Sequence, residues 1–165
     1  MKKRLLGWAK ELLILLIMAL LIATAVDLWR SKDFPKQALP SLQATTLTGE
    51  LVDLALLSKE QPVLVYFWAT WCSVCTVTSP AVDTLAQYYP VVTVALNSGD
   101  DKRVGTYLRQ HDYNFPVVND ADYQLGNDWQ IQVTPTILII RDGEAKWLTT
   151  GFTSLPGLWL RLLLS

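Results

Sequence analysis

The sequence has few of the residues that support unusual architectures. Only two of its 165 residues are cysteine, which is too few for a small disulfide-stapled scaffold. Glycine and proline number eight each and 51% of residues are apolar, so collagen-like repeats and extended disorder are excluded. One histidine and two methionines leave little material for a metal site. The chain has the length and composition of one globular domain.

An excess of charge of one sign is also missing overall, since the formal net charge is -1. The charges are nevertheless divided along the chain. Residues 1–30 carry five Lys and Arg against two Asp and Glu, which gives +3, whereas residues 31–165 carry nine against thirteen, which gives -4. A body with net negative charge has no electrostatic reason to bind nucleic acid, so we expect no such partner.

An apolar segment follows the basic N-terminus. The run from Leu12 to Val26 has Thr24 as its only polar residue. As a helix it spans about 22 Å, less than the roughly 30 Å of a bilayer core. Trp8 and Trp29 add the missing length and suit the two membrane interfaces. We predict one transmembrane helix in the bacterial inner membrane, with the basic end in the cytoplasm and the body in the periplasm.

A cleaved signal peptide is the alternative interpretation, because Ala23-Thr24-Ala25 has the small-x-small form of a processing site. Both interpretations place the body outside the cytoplasm. With the anchor retained, we assign residues 1–30 to the membrane anchor, residues 31–39 to a linker, and residues 40–165 to the folded domain.

The body alternates short apolar runs with helical periods, which predicts an α/β domain with a mixed sheet. Val63–Trp68 and Val91–Leu96 are typical of strands buried on both faces, and a helix between them closes a βαβ unit. Asp142-Gly143 between two apolar runs predicts a hairpin. The remaining predicted elements are a helix around Val104–Leu108, a strand at Phe115–Val118, a segment around Leu125–Trp129, strands at Thr136–Ile140 and Ala145–Thr150, and a terminal helix over Leu155–Leu163.

The two cysteines, Cys72 and Cys75, lie between the first buried strand and a helix that begins near Ser73. A sulfur at a helix N-terminus faces the positive end of the helix dipole and unpaired N–H groups, which favour thiolate over thiol. The i, i+3 spacing brings both sulfurs to one side, where a reversible disulfide can form. Trp71 covers part of the site and leaves the first sulfur more accessible. This pattern indicates a redox centre that needs no cofactor.

The two cysteines could also form a structural disulfide, bind zinc or bind Cu(I). A structural disulfide across so short a loop adds little stability. Zinc needs four ligands, and the body adds only His111, which we interpret as a packing or capping residue at a helix end. Binding of Cu(I) by the two thiolates remains the alternative function, although Met1 and Met18 lie outside the body and supply no thioether there.

Three features together resemble the thioredoxin superfamily: the Trp68–Cys75 segment, Pro80, and Val133-Thr134-Pro135-Thr136. The interval of 60 residues from Cys75 to Pro135 is longer than a minimal thioredoxin requires. An extra strand and helix there is similar to the membrane-anchored TlpA and ResA branch. The implied fold is thioredoxin-like α/β, with a central mixed sheet flanked by helices and a strand–helix insertion. Within that branch, residues 66–72, 95–101, 115–120 and 133–136 look closest to the suppressor-for-copper-sensitivity protein D family.

The resemblance implies roles for individual residues. It implies that Cys72 attacks a disulfide and Cys75 resolves the intermediate. It also implies that Pro135 is cis and places the backbone of Thr134 beside the sulfurs, so that these residues and Trp71 bind an extended substrate. The implied activity is exchange with protein thiols and disulfides in the periplasm, favouring reduction or electron relay, with electrons from a membrane thiol transporter and a link to copper tolerance.

Two positions depart from the family pattern. Thioredoxins carry a buried Asp where this chain has Tyr66, and ResA-like proteins carry a Glu where it has Thr78. The carboxylate in those proteins handles the proton of the resolving thiol. Asp83, Glu144 or water could replace it here, or the reaction could run in a direction that needs less help.

Overall fold

A computed structural model describes residues 39–165 together with residues 10, 11, 14, 15 and 18, which are helical and exposed. Most of the predicted membrane helix, the alternative cleavage site and residues 31–38 of the linker lie outside the described residues. Within the described part, no helix is long and apolar enough to cross a membrane. The chain divides into two units after Phe34, and the second unit contains the folded domain.

Seven strands and five helices make up the described part of this second unit. The strands are β1 (Gln43–Thr45), β2 (Leu51–Asp53), β3 (Val63–Trp68), β4 (Val91–Leu96), β5 (Val117–Asp120), β6 (Thr136–Arg141) and β7 (Glu144–Thr150). The helices are α1 (Leu54–Glu60), α2 (Ser73–Leu85), α3 (Asp101–Gln110), α4 (Gln124–Asp128) and α5 (Leu155–Leu163).

A mixed five-stranded sheet in the order β5-β4-β3-β6-β7 forms the centre, and β1 pairs with β2 in a separate hairpin. Strands β3, β4 and β5 are parallel, while β6 is antiparallel to β3 and β7 is antiparallel to β6. Every residue of β3 and β4 is buried, as expected for central strands covered on both faces. The mixed α/β sheet predicted from the sequence is confirmed.

The segment between β4 and β6 contains α3, β5 and α4. A single crossover would need only one helix, so this segment has one additional strand and one additional helix. The strand in it begins two residues later than Phe115, where we predicted it. The N–H of Phe115 is bound by the Asp83 carboxylate at 3.1 Å, and Pro116 has no N–H. Pairing with β4 therefore starts at Val117, opposite Thr93.

The C-terminal helix α5 closes the core on the side of α2. Leu158 and Leu162 are buried in one cluster with Val82 and Leu85 of α2 and with apolar residues of the sheet. Burial of this face fixes α2, whose first turn holds both cysteines, on a rigid support.

Candidate active site at the first turn of helix α2

Cys72 and Cys75 form a disulfide at the start of α2, with their Cα atoms 5.2 Å apart. Cys72 is the N-cap residue, and its Sγ accepts the backbone N–H of Cys75 at 3.1 Å. Cys72 retains 7% of its surface exposed and Cys75 retains 0%. A negative charge on Cys72 would thus be stabilised by an N–H group and by the helix dipole, and Cys72 is the sulfur that a partner can reach.

The segment before Cys72 is held by the loop that follows β4. The indole N–H of Trp71 donates to the carbonyl of Asn97 at 3.0 Å, while the ring itself is 62% exposed. The N–H of Thr70 donates to the hydroxyl of Ser98 at 3.0 Å, and that hydroxyl donates to the carbonyl of Leu96 at 3.0 Å. These bonds fix the backbone that leads into the disulfide and hold Trp71 at the surface.

The Thr134–Pro135 peptide bond is cis, as the resemblance implies. The register that pairs Phe67 with Thr136 places Thr134 and Pro135 beside the end of β3, from which the chain runs on to Cys72. The carbonyl of Pro135 accepts the N–H of Gly151 at 2.8 Å. In the described part of the chain, neither backbone group of Thr134 bonds to another backbone group, so both can pair with an extended peptide.

Tyr66 fills the position where thioredoxins have an acidic residue. Its hydroxyl lies 3.0 Å from that of Ser79 and donates to the carbonyl of Cys75 at 3.4 Å. Burial raises the pKa of Tyr66 well above its usual range, and the hydrogen bond with Ser79 opposes that rise only in part. The Tyr66 hydroxyl, which contacts the backbone of Cys75, is consequently neutral at physiological pH.

Asp83 and Glu144, the possible replacements for the family carboxylate, both bind other groups away from the sulfurs. Asp83 accepts the N–H groups of Asn114 at 2.6 Å and Phe115 at 3.1 Å, and it lies about 12 Å along the helix from Cys75. Glu144 begins β7 at the end of the hairpin remote from Pro135 and pairs with Lys146 at 2.8 Å. Neither is brought to the sulfurs.

His111 caps a helix, as predicted, and Pro80 also has a structural role. His111 is the C-cap residue of α3, where its Nδ1 lies 3.0 Å from the carbonyl of Tyr107 and its ring stacks on the Tyr107 ring. Pro80 lies inside α2 and offers no N–H to the carbonyl of Thr76. That carbonyl instead accepts the hydroxyl of Tyr113 at 3.4 Å. Among the described residues, no group of three or more His, Cys, Asp or Glu could hold a metal ion.

Comparison with known proteins agrees with this geometry. The model of the AhpC/TSA family matches residues 35–146. The chain belongs to the AhpC/TSA family. This AhpC/TSA-family chain is 40% identical over 154 residues to a thioredoxin-like protein of Haemophilus influenzae, covering 93% of this chain and 92% of the relative. It is 29% identical over 157 residues to the thiol-disulfide oxidoreductase ResA of Bacillus subtilis, covering 91% and 87%.

Among solved structures, the chain is similar to a secreted disulfide oxidoreductase of Mycobacterium tuberculosis that is described as homologous to the Escherichia coli protein DsbE. That structure superimposes with a TM-score of 0.64 and 25% identity, over 75% of this chain and 96% of the other. The thioredoxin-like fold is confirmed. The AhpC/TSA-family protein is a thiol-disulfide oxidoreductase of the thioredoxin type with a Cys72–Cys75 disulfide.

Asn97 and Ser98 are the site residues that the sequence did not reveal in this AhpC/TSA-family protein. Residues 95–101 supported the family resemblance, but nothing in their order indicated that two of them hold the backbone before Cys72. One sequence feature could have indicated them: the polar segment Asn97-Ser98-Gly99 follows a buried strand, and the functional loops of α/β sheets lie at the carboxyl ends of strands.

Proposed function

We propose that this protein is a membrane-anchored periplasmic oxidoreductase in which Cys72 attacks and Cys75 resolves, working as a reductase or electron relay. The observation that carries the assignment of the two sulfurs is the contact between the Cys72 Sγ and the Cys75 N–H at 3.1 Å. It stabilises a thiolate at Cys72 only, because Cys75 lies inside the first turn and is fully buried.

The exchange proceeds in two steps from the reduced protein. The Cys72 thiolate attacks one sulfur of a partner disulfide, the partner S–S bond breaks, and the departing partner thiolate takes up a proton. Cys75 then gives up its proton to solvent and attacks the Cys72 sulfur, which breaks the mixed disulfide and releases the second partner thiolate. Two electrons have moved to the partner, and the protein holds the Cys72–Cys75 disulfide seen in the structure.

The surface that receives the partner consists of Trp71, Thr134 and Pro135. Trp71 offers an exposed ring directly before Cys72, and the backbone of Thr134 offers an N–H and a carbonyl beside the end of β3. An extended partner segment would add to this edge by backbone hydrogen bonds, which select for chain shape and not for sequence.

The cellular setting of the proposal is supported by the sequence. A +3 segment followed by an apolar run favours an inner-membrane anchor at residues 1–30, with residues 31–39 as linker and residues 40–165 in the periplasm. The ResA relative supports thiol-disulfide exchange. The resemblance to the suppressor-for-copper-sensitivity branch supports reduction, electrons from a membrane thiol transporter and a role in copper tolerance.

Trapping of mixed disulfides tests the assigned order. The Cys75→Ala protein should accumulate a mixed disulfide with a disulfide-containing substrate protein, whereas the Cys72→Ala protein should accumulate none. Equal trapping by both variants would contradict the order. Stoichiometric Cu(I) uptake by the reduced protein, together with failure to exchange with any disulfide, would support copper binding in its place.

The reduction potential of the Cys72–Cys75 pair tests the direction. A value near that of thioredoxin, roughly -270 mV, would support a reductant, and a value near roughly -120 mV would identify an oxidant. Resistance of the membrane-bound protein to carbonate extraction tests the anchor, and release of a chain that starts near Val26 would refute it.

A further inference from the structure

A groove of about 420 Å³ opens next to the disulfide segment, between Thr70 and Trp71 on one side and α3 on the other. Trp71, which directly precedes Cys72, forms one wall. The other wall includes Thr106 and Tyr107, and Lys102 and Arg103 stand at the same groove. The partner surface proposed above shares Trp71 with the groove but uses no residue of α3, so the α3 wall has no assigned occupant.

The groove offers positive charge to a ligand. Lys102 and Arg103 are exposed, and in the described part of the chain neither takes part in an ion pair. Asp100 also lines the groove and accepts the N–H of Arg103 at 2.8 Å, whereas Asp101 does not line it and accepts the side-chain amide of Asn119 at 2.8 Å. These donors are neutral and do not cancel the carboxylate charges, so the formal charge of the groove lining, from Asp100, Lys102 and Arg103, is +1. Because Asp100 already caps the helix, the attraction for an anion comes from the two side chains.

Gly99 leaves room for the side chain of Arg103. A Cβ atom at Gly99 would lie 2.7 Å from the Cδ of Arg103, so the stem of Arg103 packs across this glycine. Gly99 follows the Asn97 and Ser98 pair that holds Trp71 and Thr70, and its φ of +91° is one that glycine accepts readily. One loop thus binds Trp71 and contacts the stem of Arg103, which places both side chains at the same groove.

We infer that this groove binds an acidic peptide segment that flanks the disulfide of the partner protein. The inference rests on the proposed function, because it assigns a partner class to the same site. Since an extended chain advances about 3.3 Å per residue, Asp or Glu side chains a few residues from the attacked cysteine reach Lys102 and Arg103. The formal charge of +1 on the groove lining contrasts with the net charge of -4 on the body, which would repel an acidic partner elsewhere on the surface.

Two disulfide peptides that differ only in their flanks, Asp and Glu in one and Asn and Gln in the other, test the inference with the full-length protein. We expect kcat/KM to be about five-fold higher for the acidic peptide at low salt, as for two exposed charge pairs. The preference should shrink as ionic strength rises to about 0.15 M, because the charges are at the surface.

Reversing the charge of both cations tests whether they cause the preference for the acidic peptide. Lys102→Glu with Arg103→Glu should invert the order, so that a peptide with Lys flanks reacts faster than the acidic one. Such an inversion is a gain that misfolding cannot produce. Lys59→Glu is the control, because Lys59 is also an exposed cation but does not line the groove. It lies on α1 next to Ser58, whose carbonyl accepts the N–H of Asp142 in the hairpin turn between β6 and β7. That variant should keep the native preference.

The possible failures are distinguishable. Equal kcat/KM for the acidic and neutral peptides, or a preference that survives charge reversal, would overturn the acidic-partner inference and leave disulfide exchange intact. Failure of the unmodified protein to exchange with any of the peptides would contradict the proposed function instead.

Discussion

The backbone N–H of Cys75 lies 3.1 Å from the Sγ of Cys72. The two sulfurs therefore have different surroundings. The sulfur of Cys72 accepts a hydrogen bond from the helix N-terminus, whereas Cys75 is enclosed by the core. The substitution of Cys75 by alanine keeps its backbone N–H, so the contact can be tested with one thiol at a time.

The first prediction concerns the reactivity of the two thiols. Cys72 in the Cys75→Ala protein should react with iodoacetamide at neutral pH at least about ten-fold faster than Cys75 in the Cys72→Ala protein, because thiolate fraction and access both favour Cys72. Mass spectrometry of timed samples measures both rates. Equal rates would show that the helix N-terminus does not distinguish the sulfurs.

A second prediction concerns the exposed ring of Trp71. Trp71→Ala should lower kcat/KM for a peptide disulfide by roughly ten-fold, the effect of removing an aromatic anchor, and should change the rate with a small-molecule disulfide much less. Trp159→Ala is the control, since Trp159 is 50% exposed on α5 and does not line the groove beside the disulfide. An equal loss with both substrates would assign Trp71 to the support of the disulfide loop.

Continuous apolar runs made the central strands predictable. Val63–Trp68 and Val91–Leu96 have the same bounds in the sequence prediction and in the structure, because strands buried on both faces need apolar residues throughout. The β1–β2 hairpin and α1 received no prediction. Each is short, and α1 depends on a cap in which the carboxylate of Asp53 accepts the N–H of Leu56 at 3.2 Å.

The site was predictable to the extent that it is local. The spacing of Cys72 and Cys75 follows from adjacent residues, whereas the bond from Trp71 to Asn97 joins residues 26 positions apart. Such a contact depends on β4 lying next to β3, which no short sequence pattern specifies. For the same reason the sequence alone does not exclude Asp83 as a proton acceptor, because its contact with Asn114 in the loop before β5 joins residues 31 positions apart.

The third prediction concerns the packing of α5 against α2. Leu158→Ala should lower the free energy of unfolding by about 2–5 kcal/mol, because Leu158 is 0% exposed and its removal leaves a cavity in the core. Leu160→Ala, two residues along the same helix and 53% exposed, should change it by less than about 0.5 kcal/mol. Urea unfolding of both variants measures the difference, and similar losses would show that α5 does not pack as described.

The last prediction follows from the buried hydroxyl of Tyr66. In the unfolded chain a tyrosine ionises near pH 10, roughly, whereas burial raises the pKa of Tyr66 in the fold. Its contribution to stability is therefore fully present below about pH 10 and is lost as the pH rises further, at about 1.4 kcal/mol per pH unit, because only the unfolded state releases the proton. Burial shifts the pKa of Tyr113 and Tyr123 in the same direction, so some alkaline loss remains without Tyr66.

Tyr66→Phe isolates the contribution of Tyr66. The variant should lose about 1 kcal/mol at neutral pH, since the hydroxyl of Ser79 loses its partner, but its stability should fall less steeply above about pH 10. Urea unfolding of both proteins across this range measures the two slopes. An identical slope would mean that Tyr66 ionises in the fold as it does in water, and that its hydroxyl is more accessible to water than its burial indicates.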